Sequence, residues 1–334
     1  AGEGERGRAR SLLTDGMSKP PVPVVSLTYL CMLTVLIAMA TLSPQSVEPP
    51  PPSPPCPARA FTCPSHCERR GLWHCKPLAA HRAAVVASSA DDAERSRAAG
   101  LMRKRGLANF KEAVKLLRNV HARFPDDVEV KLELADALNG VMRVETNANS
   151  LVIEGTLDTP ANKKIWRTLG DEALPLAKAA HQADPSSIRA LAVYADAYMF
   201  SSSAKGIVQQ AVTGASVEYK RIANALLDYP THDSCVGCCF LGGFYAVAPW
   251  PVGNKDAAAK YFEQAVSQKA SRRNLYYSGV VEYQRGHYAE ARDFFSRAIR
   301  APVGSETEGD IGAFLMERSR EGLSLSQAAL TKHK

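Results

Sequence analysis

The strongest constraint on the fold is an internal repeat of small and bulky apolar residues. Four segments share one spacing, in which a first apolar residue is followed by a second four positions later and by a third three positions after that. The four sets of anchors are Ala113, Leu117 and Val120; Ala173, Ala177 and Ala180; Ala258, Phe262 and Ala265; and Ala291, Phe295 and Ala298. This spacing puts each set on one face of a helix, and its small residues let a second helix approach closely.

Helix-breaking residues support this interpretation. Prolines follow three of the four segments and would end the helix there: Pro125, Pro185 and Pro302. In the last unit Gly279 and Gly286 precede the anchors at a regular offset. The pattern resembles the tetratricopeptide repeat, in which each unit is a pair of antiparallel helices. The resemblance implies an all-α fold, a tetratricopeptide-like superhelix, with helical insertions at residues 141–165 and 199–235.

Composition divides the chain into a leader at residues 1–87 and a repeat domain at residues 88–334. The leader holds nine Lys and Arg against five Asp and Glu, so it carries +4 of the net charge of +7. The repeat region is close to balanced and has no basic stripe with interleaved aromatic residues. We therefore predict no nucleic-acid partner.

The leader allows two localisations. Residues 22–42 carry no charge and are long enough to span a bilayer or to act as a signal segment. After a proline-rich tract, residues 56–90 are rich in Arg, Ala and Ser with Glu68 as the only acid, which is typical of an organelle transit peptide. We favour a cleaved leader and a chloroplast location; the alternative is a repeat protein anchored in a membrane through residues 22–42. Met17 is a plausible start, and order is predicted to begin near Ser88.

A second resemblance rests on one junction between helices. The sequence from Leu241 to Ala258, LGGFYAVAPWPVGNKDAA, is similar to a segment of the T-component of bacterial TRAP transporters. The resemblance implies a ligand-sized cavity and a small-molecule-binding accessory role. We expect Trp250 to fill the core between two helix-breaking prolines, Gly253 to adopt a positive φ, and Lys255 to start the next helix. More distantly, the last repeat and a trailing helix at Glu306–Gly322 resemble the membrane-anchored regulators of microtubule dynamics.

Cysteine is the one residue type that offers chemistry. The leader residues Cys56, Cys63, Cys67 and Cys75 match no common zinc-finger spacing, so we predict no metal site there. Cys235 and Cys238 form a C-x-x-C, followed directly by Cys239, without the strand-helix pattern of a redox fold. We interpret these three as packing residues, with a thiol-active protein as the alternative. No nucleophile elbow, phosphate loop or metalloprotease helix occurs, so we predict no enzyme activity and no cofactor.

The leading hypothesis is a non-catalytic scaffold or adaptor for protein–protein interaction in an organelle; the alternatives are a small-molecule-binding accessory protein of the TRAP T-component type and a membrane-anchored repeat protein like the regulators of microtubule dynamics. The predicted groove for a partner protein, or for a small apolar ligand, is lined by aromatic residues and one arginine: Arg273, Tyr276, Tyr283, Tyr194, Tyr198 and Trp250. The acidic Glu129, Glu133 and Asp136 on one first helix exclude a carboxylate clamp for peptide termini.

Overall fold

The computed structural model describes residues 78–205 and 214–332, with side chains described from Asp91 onward. Twelve helices lie within these ranges: α1 (Leu78–Lys104), α2 (Leu107–Arg123), α3 (Val128–Glu145), α4 (Pro160–Ala183), α5 (Ile188–Lys205), α6 (Ala215–Leu227), α7 (Val236–Val247), α8 (Lys255–Gln268), α9 (Arg272–Gln284), α10 (Tyr288–Arg300), α11 (Glu306–Gly309) and α12 (Gly312–Lys332). A short antiparallel pair, β1 (Leu151–Val152) and β2 (Gly155–Thr156), separates α3 from α4. The all-α prediction is therefore confirmed, with one small hairpin added.

The repeat anchors are the buried faces of the second helices α2, α4, α8 and α10. All twelve anchor side chains are at most 1 % exposed. At three joints a glycine on the neighbouring helix makes room for an aromatic ring, because a Cβ there would lie about 2.8 Å from ring carbons: Gly140 against Phe110, Gly242 against Phe262, and Gly279 against Phe295. Small residues thus set the close approach of consecutive helices, as the spacing predicts.

Side-chain caps fix where several helices begin. The cap residues accept hydrogen bonds from backbone amides of the first turn, which otherwise lack partners: Asp127 for α3, Thr159 for α4, Asn254 for α8, Ser271 for α9 and Ser305 for α11. The predicted start of a helix at Lys255 is confirmed.

The two predicted insertions differ in detail from expectation. In the first, the chain turns at residues 147–149 and forms the β1–β2 hairpin, whose Val152 and Ile153 carbonyls accept hydrogen bonds from Gln284 on α9. In the second, helix α5 runs through the serines at 201–203 to Lys205, and α6 begins at Ala215. Ser202 can remain helical because its hydroxyl bonds the Met199 carbonyl within the same helix.

The packed side chains form two large apolar clusters. The first joins α1 to α7 around Phe110, Trp166 and Phe200, and the second joins α7 to α12 around Phe262 and Phe295. Trp166 also donates from Nε1 to the Thr146 hydroxyl at 2.9 Å, so its buried polar atom is satisfied.

The ends of the domain modify two further predictions. Helix α1 begins at Leu78 and runs through Ser88, where order is predicted to begin. The predicted trailing helix Glu306–Gly322 is divided, since α11 ends at Gly309 and α12 starts at Gly312 and continues to Lys332. Residues 22–42 and the cysteines of the leader lie outside the described ranges, within which no helix has the length and apolarity to cross a bilayer.

Candidate functional site: an internal cavity with buried ion pairs

First helices of successive repeats line a partly open cavity of about 220 Å³. Its walls come from α3, α5, α6, α7 and α9, with the β1–β2 hairpin and α11 contributing at the edges. One part of the wall carries charged side chains and another carries aromatic rings. Convergent polar groups in an otherwise apolar enclosure are typical of ligand sites.

Arg143 on α3 holds the first group of charges. Its guanidinium donates through Nη2 to Asp196 on α5 and through Nη1 to Asp310 at 3.1 Å. Asp310 also accepts two hydrogen bonds from Arg105, which precedes α2. Arg143 and Asp310 are almost fully buried, with side chains 7 % and 2 % exposed, so their charges are satisfied mainly by each other and by these neighbours.

Asp196 is paired with Arg143 through one of its two carboxylate oxygens. Burial raises its pKa, the positive charge of Arg143 lowers it, and the nearby carboxylates of Asp233 and Asp136 raise it again, so that the net shift is upward. Its Oδ1 has no hydrogen-bond partner among the described residues, and its side chain is 22 % exposed where it lines the cavity. Asp196 therefore presents an open acceptor to the cavity.

Arg273 on α9 holds the second group of charges and pairs with Asp233. Its Nη1 lies 3.2 Å from both carboxylate oxygens of Asp233, and the Ser305 hydroxyl donates to the same carboxylate. Burial raises the pKa of Asp233, but Arg273 with the hydroxyls of Ser305 and Thr307 outweighs burial and leaves that pKa below its usual range. Of the predicted groove residues, Arg273 is the one that lines the cavity.

The loop that carries Asp233 has an unusual backbone. Asp233, Ser234 and Cys235 have φ of 42°, 56° and 60°, the left-handed region that residues with a Cβ rarely occupy. Surrounding bonds hold this loop in place: Asn274 donates to the Ser234 carbonyl at 2.8 Å, and Arg273 donates to the Asp233 carbonyl. Strain of this kind persists only where neighbouring structure enforces it.

An aromatic wall lies beside Asp196. The ring of Tyr219 on α6 lies 5.7 Å from each of the rings of Phe240 and Phe244 on α7, and all three line the cavity. Burial, together with the negative charge of Asp196, raises the pKa of Tyr219, so its hydroxyl stays neutral.

The other tyrosines of the predicted groove lie elsewhere. Tyr276 is 1 % exposed and packs on Phe295 in the core. Tyr283 stacks edge-to-face on Tyr288, with ring centroids 5.1 Å apart. Tyr194, 3 % exposed, donates to Glu218, and Tyr198 donates to the Ala215 carbonyl, so both tie α5 to α6. The structure does not bring these side chains together with Arg273 in one groove.

A family model described as a tetratricopeptide repeat matches residues 251–305, which comprise α8 to α10 and the turns beside them. The chain is tetratricopeptide-repeat-like. Among solved structures it is similar to a thermophilic TPR protein of Thermus thermophilus, at 14 % identity and a TM-score of 0.47 over 70 % of this chain and 98 % of that one. No curated protein matches the sequence.

The turn at the start of the matched repeat corrects the role predicted for Trp250. Its side chain is 77 % exposed, so the prediction that it fills the core was wrong. The space between α7 and α8 is filled by Phe262 against Gly242, and the turn directs Trp250 outward. Gly253 does not adopt the positive φ that was predicted. A glycine is needed there because a Cβ would lie 2.0 Å from the Ala248 carbonyl oxygen.

The cysteines also differ from expectation. Cys235 and Cys238 are buried, as packing residues would be, but they are joined by a disulfide bond. Cys239 is a free thiol that lines the cavity and lies 3.2 Å from Oδ1 of Asn274. Burial raises the pKa of the Cys239 thiol to about 11, so this thiol is protonated at neutral pH and is a poor nucleophile.

Proposed function

We propose that this chain is a non-catalytic helical-repeat adaptor that binds another protein, with Trp250 at the centre of the contact. The observation that carries the proposal is the exposure of Trp250 and, beside it, of Val252, which is 39 % exposed. Both lie on the turn that leads into the tetratricopeptide repeat. Tryptophan is enriched among the residues that dominate binding energy at protein interfaces.

The repeat architecture supports the same function. Stacked helical repeats bury a continuous core between neighbours and leave extended faces, with turns along their edges, for partner proteins. The helices on either side of Trp250 are firmly packed, because Ala258 and Phe262 are buried in α8 and Phe240 and Leu241 are buried in α7. A rigid support of this kind lowers the entropy lost when a partner binds.

The test is affinity purification of the tagged full chain from its native source, with Trp250→Ala as the variant. The matched control is Val217→Ala, because Val217 is also a large apolar residue on the surface, 68 % exposed on α6. We expect Trp250→Ala to lose the partner while melting at the wild-type temperature, and Val217→Ala to keep it. Retention of every partner by Trp250→Ala would refute the contact. Equal loss of a partner by both variants would mean that Trp250 is not the specific contact.

We also propose that the adaptor works in a plastid. Support comes from the Arg-rich and acid-poor composition of residues 56–90, which a membrane stalk does not need. A fluorescent protein fused to residues 1–87 tests this. Plastid import with cleavage of the leader is expected; a fusion that stays uncleaved in another membrane would favour anchoring through residues 22–42.

A further inference from the structure

We infer that the internal cavity binds a small organic cation, with its ammonium group against the carboxylate of Asp196 and its apolar body against the rings of Tyr219 and Phe244. This binding would be separate from the protein contact at Trp250, so the two proposals can succeed or fail independently.

The charges that face the cavity favour a cation over an anion. Both arginines in the wall already donate to carboxylates, Arg273 to Asp233 and Arg143 to Asp196 and Asp310. Asp310 is paired with Arg105 as well as with Arg143, whereas Asp196 accepts one hydrogen bond, from Arg143, and its Oδ1 has no partner among the described residues. A bound anion would meet this open carboxylate oxygen, whereas an ammonium group would complete its hydrogen bonding.

Two further carboxylates add negative charge around Asp196. Asp233 and Asp136 both act on Asp196 with like charge, and both disfavour its ionised form. Asp233 gives no competing binding position, because Arg273 and Ser305 already occupy its carboxylate. Asp158 also lines the cavity, but its two oxygens contact Lys163 and Thr156, so Asp196 is the wall acid with an oxygen that has no partner among the described residues.

The aromatic wall indicates what the rest of the ligand should be. Tyr219 and Phe244 stack with planes 25° apart, and both line the cavity near Asp196. The Lys220 ammonium already lies 5.8 Å from the centroid of Phe244, so these rings suit the apolar body of the amine, while its ammonium group goes to Asp196. At about 220 Å³ the cavity is smaller than the roughly 300–1,000 Å³ of drug-sized sites, which favours a ligand with a single ring.

The test uses 2-phenylethylamine as the probe in isothermal titration calorimetry on the full chain. Two probes with the same phenylethyl group separate charge from shape: 2-phenylethanol, which is neutral and of the same size, and 3-phenylpropionate, which is a slightly larger anion. We expect one equivalent of the amine to bind, and both controls to bind at least about tenfold more weakly, as the loss of a charge-assisted hydrogen bond predicts. No binding of the amine, or equal binding of the alcohol or the acid, would overturn the inference.

Two variants place the binding in the cavity. Asp196→Asn should weaken binding of the amine about tenfold or more. Asp228→Asn, at an exposed carboxylate after α6, should leave the affinity unchanged. Gly243→Leu should place a side chain in the cavity without a clash at its Cβ, because Gly243 lies within α7, lines the cavity and has open space where a Cβ would be. The amine should no longer bind to a folded Gly243→Leu protein, as checked by circular dichroism. Undiminished binding by either Asp196→Asn or Gly243→Leu would refute the site.

Discussion

Two glycines on packed helices should respond in opposite ways to the same substitution by alanine. Gly322 lies within α12, and a Cβ there would be 2.5 Å from the end of the Phe295 ring. Gly243 lies within α7, and a Cβ there would have no neighbour within 4 Å. We predict that Gly322→Ala destabilises the protein and that Gly243→Ala stabilises it.

The magnitudes follow from two competing terms. Replacing glycine by alanine inside a helix gains roughly 0.8–1 kcal/mol at either position. At Gly322 the new methyl also overpacks a ring that cannot move away, because Phe295 is fully buried and Gly279 and Tyr276 confine its other side. Overpacking costs about 1–3 kcal/mol. The net change in the free energy of unfolding is therefore a loss of about 0–2 kcal/mol for Gly322→Ala, against a gain of about 1 kcal/mol for Gly243→Ala.

Urea unfolding of the full chain, followed by circular dichroism, measures both variants against the wild type. Phe295→Leu supplies a further check, since a smaller side chain should remove most of the penalty of Gly322→Ala when the two changes are combined. Gly322→Ala as stable as Gly243→Ala would refute the reasoning, because it would mean that Phe295 is free to shift.

Three further predictions concern individual groups and the domain boundary. Native Cys239 should react with iodoacetamide at pH 8 at least about tenfold more slowly than in the unfolded chain, measured by peptide mapping, because its pKa of about 11 leaves little thiolate. Because the pKa of Asp233 is lowered in the folded protein, its ionised form adds stability above about pH 4, the pKa in the unfolded chain. This stability is lost as the pH falls through the folded pKa. Asp233→Asn should therefore make the free energy of unfolding less dependent on pH in the acid range. A protein that begins near Ser88, as the sequence predicts, should fold with helical circular dichroism, and failure to fold without the upstream turns of α1 would move the boundary toward Leu78.

The helical array was predictable because its signal is local. Residues four and three positions apart define one face of a helix, so anchors such as Ala291, Phe295 and Ala298 encode both the helix and the side that is buried. The junction at Trp250 was only half predictable. Its prolines indicate a break between helices, but no local pattern decides which way the side chain of a turn residue points.

The charged side of the cavity could not be predicted in the same way. Arg143 and Asp310 are 167 positions apart, and each looks like an ordinary surface residue of an amphipathic helix or turn. Their burial depends on how far the array curves, which no periodicity within one helix specifies. The disulfide between Cys235 and Cys238 depends on the left-handed backbone of residues 233–235, which the sequence gives no reason to expect because none of the three is a glycine.

Asp310 links the two ends of the described helical array and so helps to bound the cavity on its inner face. Asp310 follows α11, near the end of the chain, yet it accepts hydrogen bonds from Arg105 before α2 and from Arg143 on α3. The first and last repeats are therefore joined directly. These ion pairs hold the two ends together, because separating a buried pair leaves each charge uncompensated. The proposed partner protein would therefore contact the outer turns, where Trp250 lies, and the proposed small ligand would lie among Asp196, Tyr219 and Phe244.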